Sequence, residues 1–360
     1  MRFVRLRKGV SWHNTSNAMR GDADFSVCLN CTKVVPVKHV TNFPLYNGCL
    51  DPYGSMAGLV ADCQKLGLDG LEVIWDHMPY IGELPPEGFA VGYHLKFWSH
   101  WLDFYRGNTD ALLAEYGSWD MVREYFHGDD AQVLVDEFKE DLQRAIDLNA
   151  EYVVFHVSDV SIEECFTYRF SHSDEEVIDA AAELVNRFLD GSGARMAFLV
   201  ENQWWPGLRF TDPKLTRRLL DAIEYDNKGV VLDTGHLLHT NRALRTQAQA
   251  AQYIRECFDA HGQPHGLVRA LHLQQSLTGE YVEGRGFVVP DDLGEAYWDR
   301  YTRCYNHVVQ IDRHEPWTDP AIADVVAHID PEWVNHELSA WPREAHNEAV
   351  ATQLATLRQG

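Results

Sequence analysis

The stretch VVLDTGHLLHT, Val230–Thr240, decides how this chain is read. A β-branched run delivers an aspartate, a turn containing Gly235 follows, and a histidine stands three residues beyond the aspartate. Asp, Thr and Gly are ordinary punctuation between a strand and a loop. Taken alone, the stretch therefore reads equally well as a strand ending in a turn or as a strand presenting metal ligands. What the rest of the chain carries at comparable places decides between them.

Working outward, short β-rich runs alternate with amphipathic ones. The predicted strands are KHVTNF (38–43), GLEVIW (70–75), one within FAVGYHLKFW (89–98), EYVVFHVSD (151–159), MAFLVEN (196–202), GVVLD (229–233), LVRALHL (267–273) and PEWVNHELS (331–339). Helical periodicity marks 55–67, with Ser55 as cap, two stretches between Thr109 and Asn149, and then 173–190, 212–223, about 243–260 and 343–357. Eight strands alternating with helices predict an α/β chain folded as a (β/α)8 TIM barrel, with a doubly wound open sheet as the competitor.

The strand ends favour the barrel. His94, His156, Glu201, Asp233, His272 and Glu337 fall at the ends of strands three to eight. A barrel brings those ends around one mouth, whereas an open sheet spreads them along a row. Any one of these residues has an ordinary role as a rim hydrogen-bonder or a cap; six at equivalent positions point to a shared site. Histidine with carboxylate suits divalent zinc, manganese, cobalt or iron, and no cysteine joins the set. Asp233 and His236, across the Gly235 turn, can face the same cavity, so the opening stretch reads as a ligand-bearing turn.

The bulk numbers narrow the function. The 360 residues are 45% hydrophobic and carry a formal charge of −23. Residues 1–36 hold six Lys and Arg against two Asp, a surplus of +4, which leaves −27 on the rest. Nucleic-acid binding depends on neutralising phosphates with cations, so this balance counts against a nucleic-acid partner. The basic arm 1–36 has no periodicity, and the remainder, 37–360, reads as a single barrel with an insertion at about 276–310, in which Tyr, Gly and charges suggest a lid or rim segment. Seven scattered cysteines do not form a disulfide framework, and the single pair Cys28/Cys31 is a weak zinc or redox signal. No apolar run approaches the roughly 18 residues that span a bilayer, and no secretion signal is evident, so the expectation is a cytoplasmic protein with no membrane partner.

With Glu201 in LVEN, Asp233 and His236 in LDTGH, His272 in LHL and Glu337 in NHEL, the chain from about Lys38 onward resembles the xylose isomerase-like TIM barrels. That superfamily holds sugar and sugar-phosphate isomerases and epimerases together with the endonuclease IV (AP endonuclease family 2) enzymes. In its epimerases, the resemblance implies, Glu201, Asp233, His272 and Glu337 hold one divalent ion (Mn, Co, Mg or Zn), Glu201 and Glu337 form the acid/base pair, and His236 touches substrate. In its endonucleases three zinc ions take nine ligands. His94, His156, His236 and the pair Asp312 and His314 in IDRHEPW offer the additional ones. About forty residues separate His272 from Asp312, a longer interval than the endonuclease pattern has, which leaves open whether that pair reaches the cavity.

Two activities follow. The first is a metal-dependent isomerase or epimerase of a sugar or sugar-phosphate-like small molecule, with the metal polarising a carbonyl and two carboxylates working on the adjacent carbon. The second is a multinuclear zinc hydrolase that cleaves a small phosphodiester. One ion is expected in the first case and up to three in the second. Trp98, Trp204 and Trp205, among several aromatics near strand ends, are candidate sugar platforms. Lys96 and Arg313, with Arg209, are candidate clamps for an anionic group. Barrels of this kind often form homo-oligomers.

Overall fold

The computed structural model describes residues 36–75, 79–262 and 266–359. The arm, apart from its last residue, and the Cys28/Cys31 pair lie outside the described residues. Eight parallel strands close into a barrel in chain order: β1 (Lys38–Leu45), β2 (Gly70–Trp75), β3 (Ala90–His94), β4 (Tyr152–His156), β5 (Ala197–Glu201), β6 (Lys228–Asp233), β7 (Val268–His272) and β8 (Trp333–His336). Closure is made by β1 against β8, with Lys38 opposite Trp333 and Thr41 opposite His336. No open-sheet edge remains, and the chain is a (β/α)8 TIM barrel.

The helices are α1 (Met56–Leu66), α2 (Leu102–Arg106), α3 (Thr109–Tyr116), α4 (Trp119–Phe126), α5 (Gln132–Asp147), α6 (Ile162–Thr167), α7 (Asp174–Leu189), α8 (Pro213–Ala222), α9 (Thr234–His239), α10 (Gln247–Ala260), α11 (Gly279–Gly284), α12 (Tyr297–Ile311), α13 (Ala321–Ile329) and α14 (Arg343–Leu357). Their boundaries follow local chemistry. Ser55 caps α1 and left-handed Gly67 ends it; Ser173 and Glu176 form a capping box on α7; Asp212 caps α8 ahead of Pro213. Each cap contributes about 1 kcal/mol. Between Thr109 and Asn149 there are three helices rather than two, because left-handed Gly117 stops α3 and Ser118 caps a new start at α4.

Period-two alternation sorts the strand residues. Inside the barrel, Val40, Val91, Val154, Leu199, Val231 and Ala270 pack with Tyr152 and Trp333. A Cβ at Gly92 would sit 2.3 Å from the Tyr152 ring, so glycine is what lets that ring cross the barrel. Outside, the larger cluster seals strands against helices. With the lower interior filled by hydrocarbon, the polar inward positions are left to the C-terminal ends of the strands.

The segment from α11 through α12 leaves after β7 and packs on elements that follow β3 and β4. His307 stacks on Phe166 of α6 at 4.5 Å, Tyr297 meets Tyr116 of α3 at 4.8 Å, and Trp298 donates to Glu124 of α4 at 2.8 Å. The segment thus reaches across the C-terminal face toward its β3–β4 side. Among the described residues no helix is long and apolar enough to cross a membrane.

Candidate metal centre

At the C-terminal ends of the strands, nine side chains converge in three groups whose donor atoms lie within 4.8 Å of one another. The first is His94, His156 and Glu201; the second Glu201, Asp233, His272 and Glu337; the third His236, Asp312 and His314. Glu201 belongs to two of them. Its Oε2 is 3.3 Å from His94 Nε2 and 3.0 Å from His156 Nε2, while Oε1 lies 3.5 Å from His272 Nδ1. In the third group Asp312 Oδ2 is 3.1 Å from His236 Nε2 and 2.7 Å from His314 Nε2.

The opening stretch is a helix start. Asp233 ends β6 and caps α9, its Oδ1 accepting from the His236 backbone N–H at 2.6 Å. The expected turn at Gly235 is therefore the first turn of α9, and that helix projects His236 into the cavity. Gly235 is needed there because a Cβ would meet the Gln274 amide at 2.1 Å.

The interval before Asp312 does not carry it away. Gln275 and Glu315 pair as an antiparallel bridge, and Thr278 Oγ1 donates to the Ile311 carbonyl at 2.6 Å. Ser276 Oγ accepts from the Arg313 and His314 backbone N–H groups. The chain thus leaves and re-enters through a pinned stem, and Asp312 and His314 return to the mouth. Gln274 and Ser276 hold Asp312 Oδ1 at 3.0 and 3.3 Å, so Oδ2 is the atom left facing the histidines.

The residues fit divalent cations. A metal-binding imidazole needs one nitrogen bare, and the other is usually fixed as a donor by a protein acceptor. His94 Nδ1 donates to the Leu95 carbonyl, His236 Nδ1 to that of Asn202 and His314 Nδ1 to that of Glu337, at 2.8, 3.0 and 2.9 Å. In each case Nε2 is turned to the cluster. His272 is reversed: Nε2 contacts Glu72 and Nδ1 faces the second group. Moreover, Glu201 Oε1, His272 Nδ1 and Glu337 Oε2 are buried with no hydrogen-bond partner, although the last two are 2.7 Å apart. Buried polar atoms crowded together without hydrogen-bond geometry are what a shared cation would satisfy.

The electrostatics agree. Burial drives the Asp233 carboxyl up, to about 7, with Glu337, Glu201 and Asp312 adding to the rise and His236 opposing it. Burial also opposes charge on Glu337, but His272 and His314 outweigh it and hold that carboxyl at about 2. For His272 burial favours the neutral ring, and Glu337, Glu72 and Glu201 overcome it to hold the group well above its usual range. In the ion-free cavity the carboxylates are balanced by imidazoles held above their usual range, His272 and His314 among them, and a bound cation would take the place of those protons.

Other expected site residues fall elsewhere. Trp98 is buried against Tyr125 and Phe126, Trp204 and Trp205 are buried, and Lys96 is buried beside Glu137 at 3.6 Å. These four are not open platforms or clamps; Trp204 instead backs His236 and His239, with ring centroids at 5.3 and 4.6 Å. Arg209 pairs with Asp174 at 3.0 Å. Arg313 keeps a partly exposed guanidinium, 3.8 Å from Glu315. Phe97, with its ring 4.5 Å from His156, is a partly exposed aromatic beside the centre. Glu72 and Gln274 escaped the sequence reading. For Glu72 the signal was a carboxylate at an inward position of an apolar strand.

The family model described as xylose isomerase-like TIM barrel matches residues 60–350. No protein of curated function matches the sequence. Among solved structures, an L-ribulose 3-epimerase is similar at 11% identity, covering 90% of this chain and 95% of that one, with a TM-score of 0.45. A D-psicose 3-epimerase from Clostridium cellulolyticum H10 has 12% identity, coverages of 90% and 99%, and a TM-score of 0.45. The zinc-containing IOLI protein has 13% identity, coverages of 90% and 96%, and a TM-score of 0.42. At such identities the likeness concerns the fold alone.

Proposed function

The chain belongs to the xylose isomerase-like TIM barrel family, and from that premise we propose that it is a multinuclear metallohydrolase cleaving a small phosphoester. The observation that carries the proposal is the third group: His236, Asp312 and His314 stand together beside the two groups that share Glu201. A single-ion epimerase would use His236 as a substrate contact and has no ligand role for Asp312 and His314.

The chain's own residues prepare the cavity. Backbone carbonyls fix the tautomers of His94 and His314, so these rings enter without reorganising, while Asn202, Gln203 and Glu201 surround His236 Nδ1. Glu201 spans the first two groups and Gln274 orients Asp312. Divalent ions held there would supply Lewis acidity, lowering the pKa of water and neutralising charge on phosphoryl oxygens. Four ligand carboxylates against three divalent ions leave the loaded cavity net positive, which suits an anionic substrate. The acidic body and the α11–α12 segment across one side of the mouth oppose a nucleic-acid duplex and favour a small one. Arg313, next in sequence to Asp312 and with a partly exposed guanidinium, offers a cation to such an anion.

The test is elemental analysis of untagged protein purified without chelator, with bis(4-nitrophenyl) phosphate as probe. Close to three equivalents, chiefly zinc, and chelator-sensitive hydrolysis are expected, one ion for each group. The second reading, a one-ion sugar epimerase, is favoured by the second group taken alone, Glu201, Asp233, His272 and Glu337. Close to one equivalent, solvent-deuterium exchange beside a ketose carbonyl and no hydrolysis would decide for it.

A further inference from the structure

Beneath the second group lies a carboxylate that no ligand set includes. Glu72 is fully buried on β2 and points into the barrel, where its Oε2 lies 3.1 Å from His272 Nε2 and accepts from Tyr152 O–H at 2.7 Å. An inward position in GLEVIW is one that a Val or Ile would fill without cost, whereas a buried carboxylate is tolerated only when paired. Were Glu72 present only to satisfy Tyr152, it would need no contact with a histidine on β7. That imidazole is the one whose Nδ1 faces Glu337 and Glu201, at 2.7 and 3.5 Å. Its two nitrogens thus have opposite duties.

We propose that Glu72, itself steadied by Tyr152, is a positioning residue: it takes the Nε2–H of His272, fixes the ring's tautomer and plane, and so presents the Nδ1 lone pair to the second group. The contrast with the other centre histidines supports this. His94 and His314 are oriented by neutral backbone carbonyls, and His236 Nδ1 lies 3.0 Å from both the Asn202 carbonyl and Glu201, itself a candidate ligand, whereas the carboxylate behind His272 belongs to no ligand group. A carboxylate behind an imidazole raises the ring's basicity as well as holding it. The nitrogen that His272 presents to the second group is therefore more basic for having Glu72 behind it. The inference rests on the reading that this group binds a cation.

The experiment titrates metal-free wild type, Glu72→Gln and Tyr152→Phe with Co(II), following the visible ligand-field spectrum and competition with a chromophoric chelator. Melting of the metal-free proteins reports the fold separately. Glu72→Gln keeps the size and removes the charge; it should weaken uptake of one ion by about 10–100-fold, change that ion's spectrum and leave the others alone. Tyr152→Phe should give a smaller loss at the same ion. Wild type that binds no Co(II) would sink the metal reading itself. Wild type that binds while Glu72→Gln matches it in affinity and spectrum would overturn the role of Glu72 and leave the metal reading intact. Should Glu72→Gln fail to fold, Tyr152→Phe decides: weakened uptake of one ion supports the role, and unchanged uptake overturns it.

Discussion

Beside the candidate metal centre, and separate from it, His100 lies buried between two carboxylates. Its Nδ1 is 3.2 Å from Asp159 and its Nε2 3.5 Å from Asp103. Asp159 also accepts from the Trp101 and Leu102 backbone N–H groups, which fixes the start of α2 to the loop after β4. His172 completes the cluster, 3.4 Å from Asp103. Burial alone would depress the His100 imidazolium, but Asp159, Glu115 and Asp103 overcome it and raise the group from 6.5 to about 9. A folded-state value above the unfolded one means stability that is complete below pH 6.5 and lost as pH climbs through about 9. Multiplying the shift by about 1.4 kcal/mol per unit gives about 3.5 kcal/mol in all. With unfolding entropy of roughly 2 cal/mol/K per residue, the 360-residue chain converts this to about 5 °C in Tm, most of it between pH 6 and pH 9.5. The assay is calorimetry of wild type and His100→Gln near pH 6 and near pH 9.5. Other titrating groups, the metal ligands included, are common to both proteins and largely cancel in the difference. Wild type should lead the variant by about 4 °C more at the lower pH. A gap that stays constant with pH, or widens on the alkaline side, refutes the reasoning.

Two further substitutions probe the centre and its scaffold. Glu201→Gln should abolish turnover while the metal-free melting profile is retained, and because Glu201 serves two groups it should lower uptake at both; full activity in this variant would remove Glu201 from the site. Gly207→Ala should cost about 2 kcal/mol or more, since φ is +127° and the new Cβ would stand 2.2 Å from the Val157 carbonyl oxygen; a Tm within about a degree of wild type would show that the loop can shift to admit it.

The eight strands were legible because each is a short apolar run bounded by turn chemistry, and their polar ends were legible because ligand types recur at the same place. The fate of Asp312 and His314 was not. Sequence separation measures chain length, whereas their position depends on the Gln275–Glu315 bridge and the Thr278–Ile311 hydrogen bond, which close the interval at its base. Trp98 and Lys96 lie deeper than their place after β3 indicates, for a related reason. Both sit just past β3, but the chain there turns back onto α4 and α5, carrying them under the rim. Glu72 was overlooked because its meaning comes from His272, 200 residues away.

The pinned stem separates two jobs that the chain order runs together. The ligands on either side of it are held by bonds at the neck and by the last turn of α12, where the Asp312 N–H donates to the Val308 carbonyl at 2.8 Å, so the bonds that place Asp312 come from the ends of the excursion rather than from its middle. A visor of another length or face joined to those same ends would leave the neck as it is, so what reaches over the mouth and what holds the clustered side chains are separable in design.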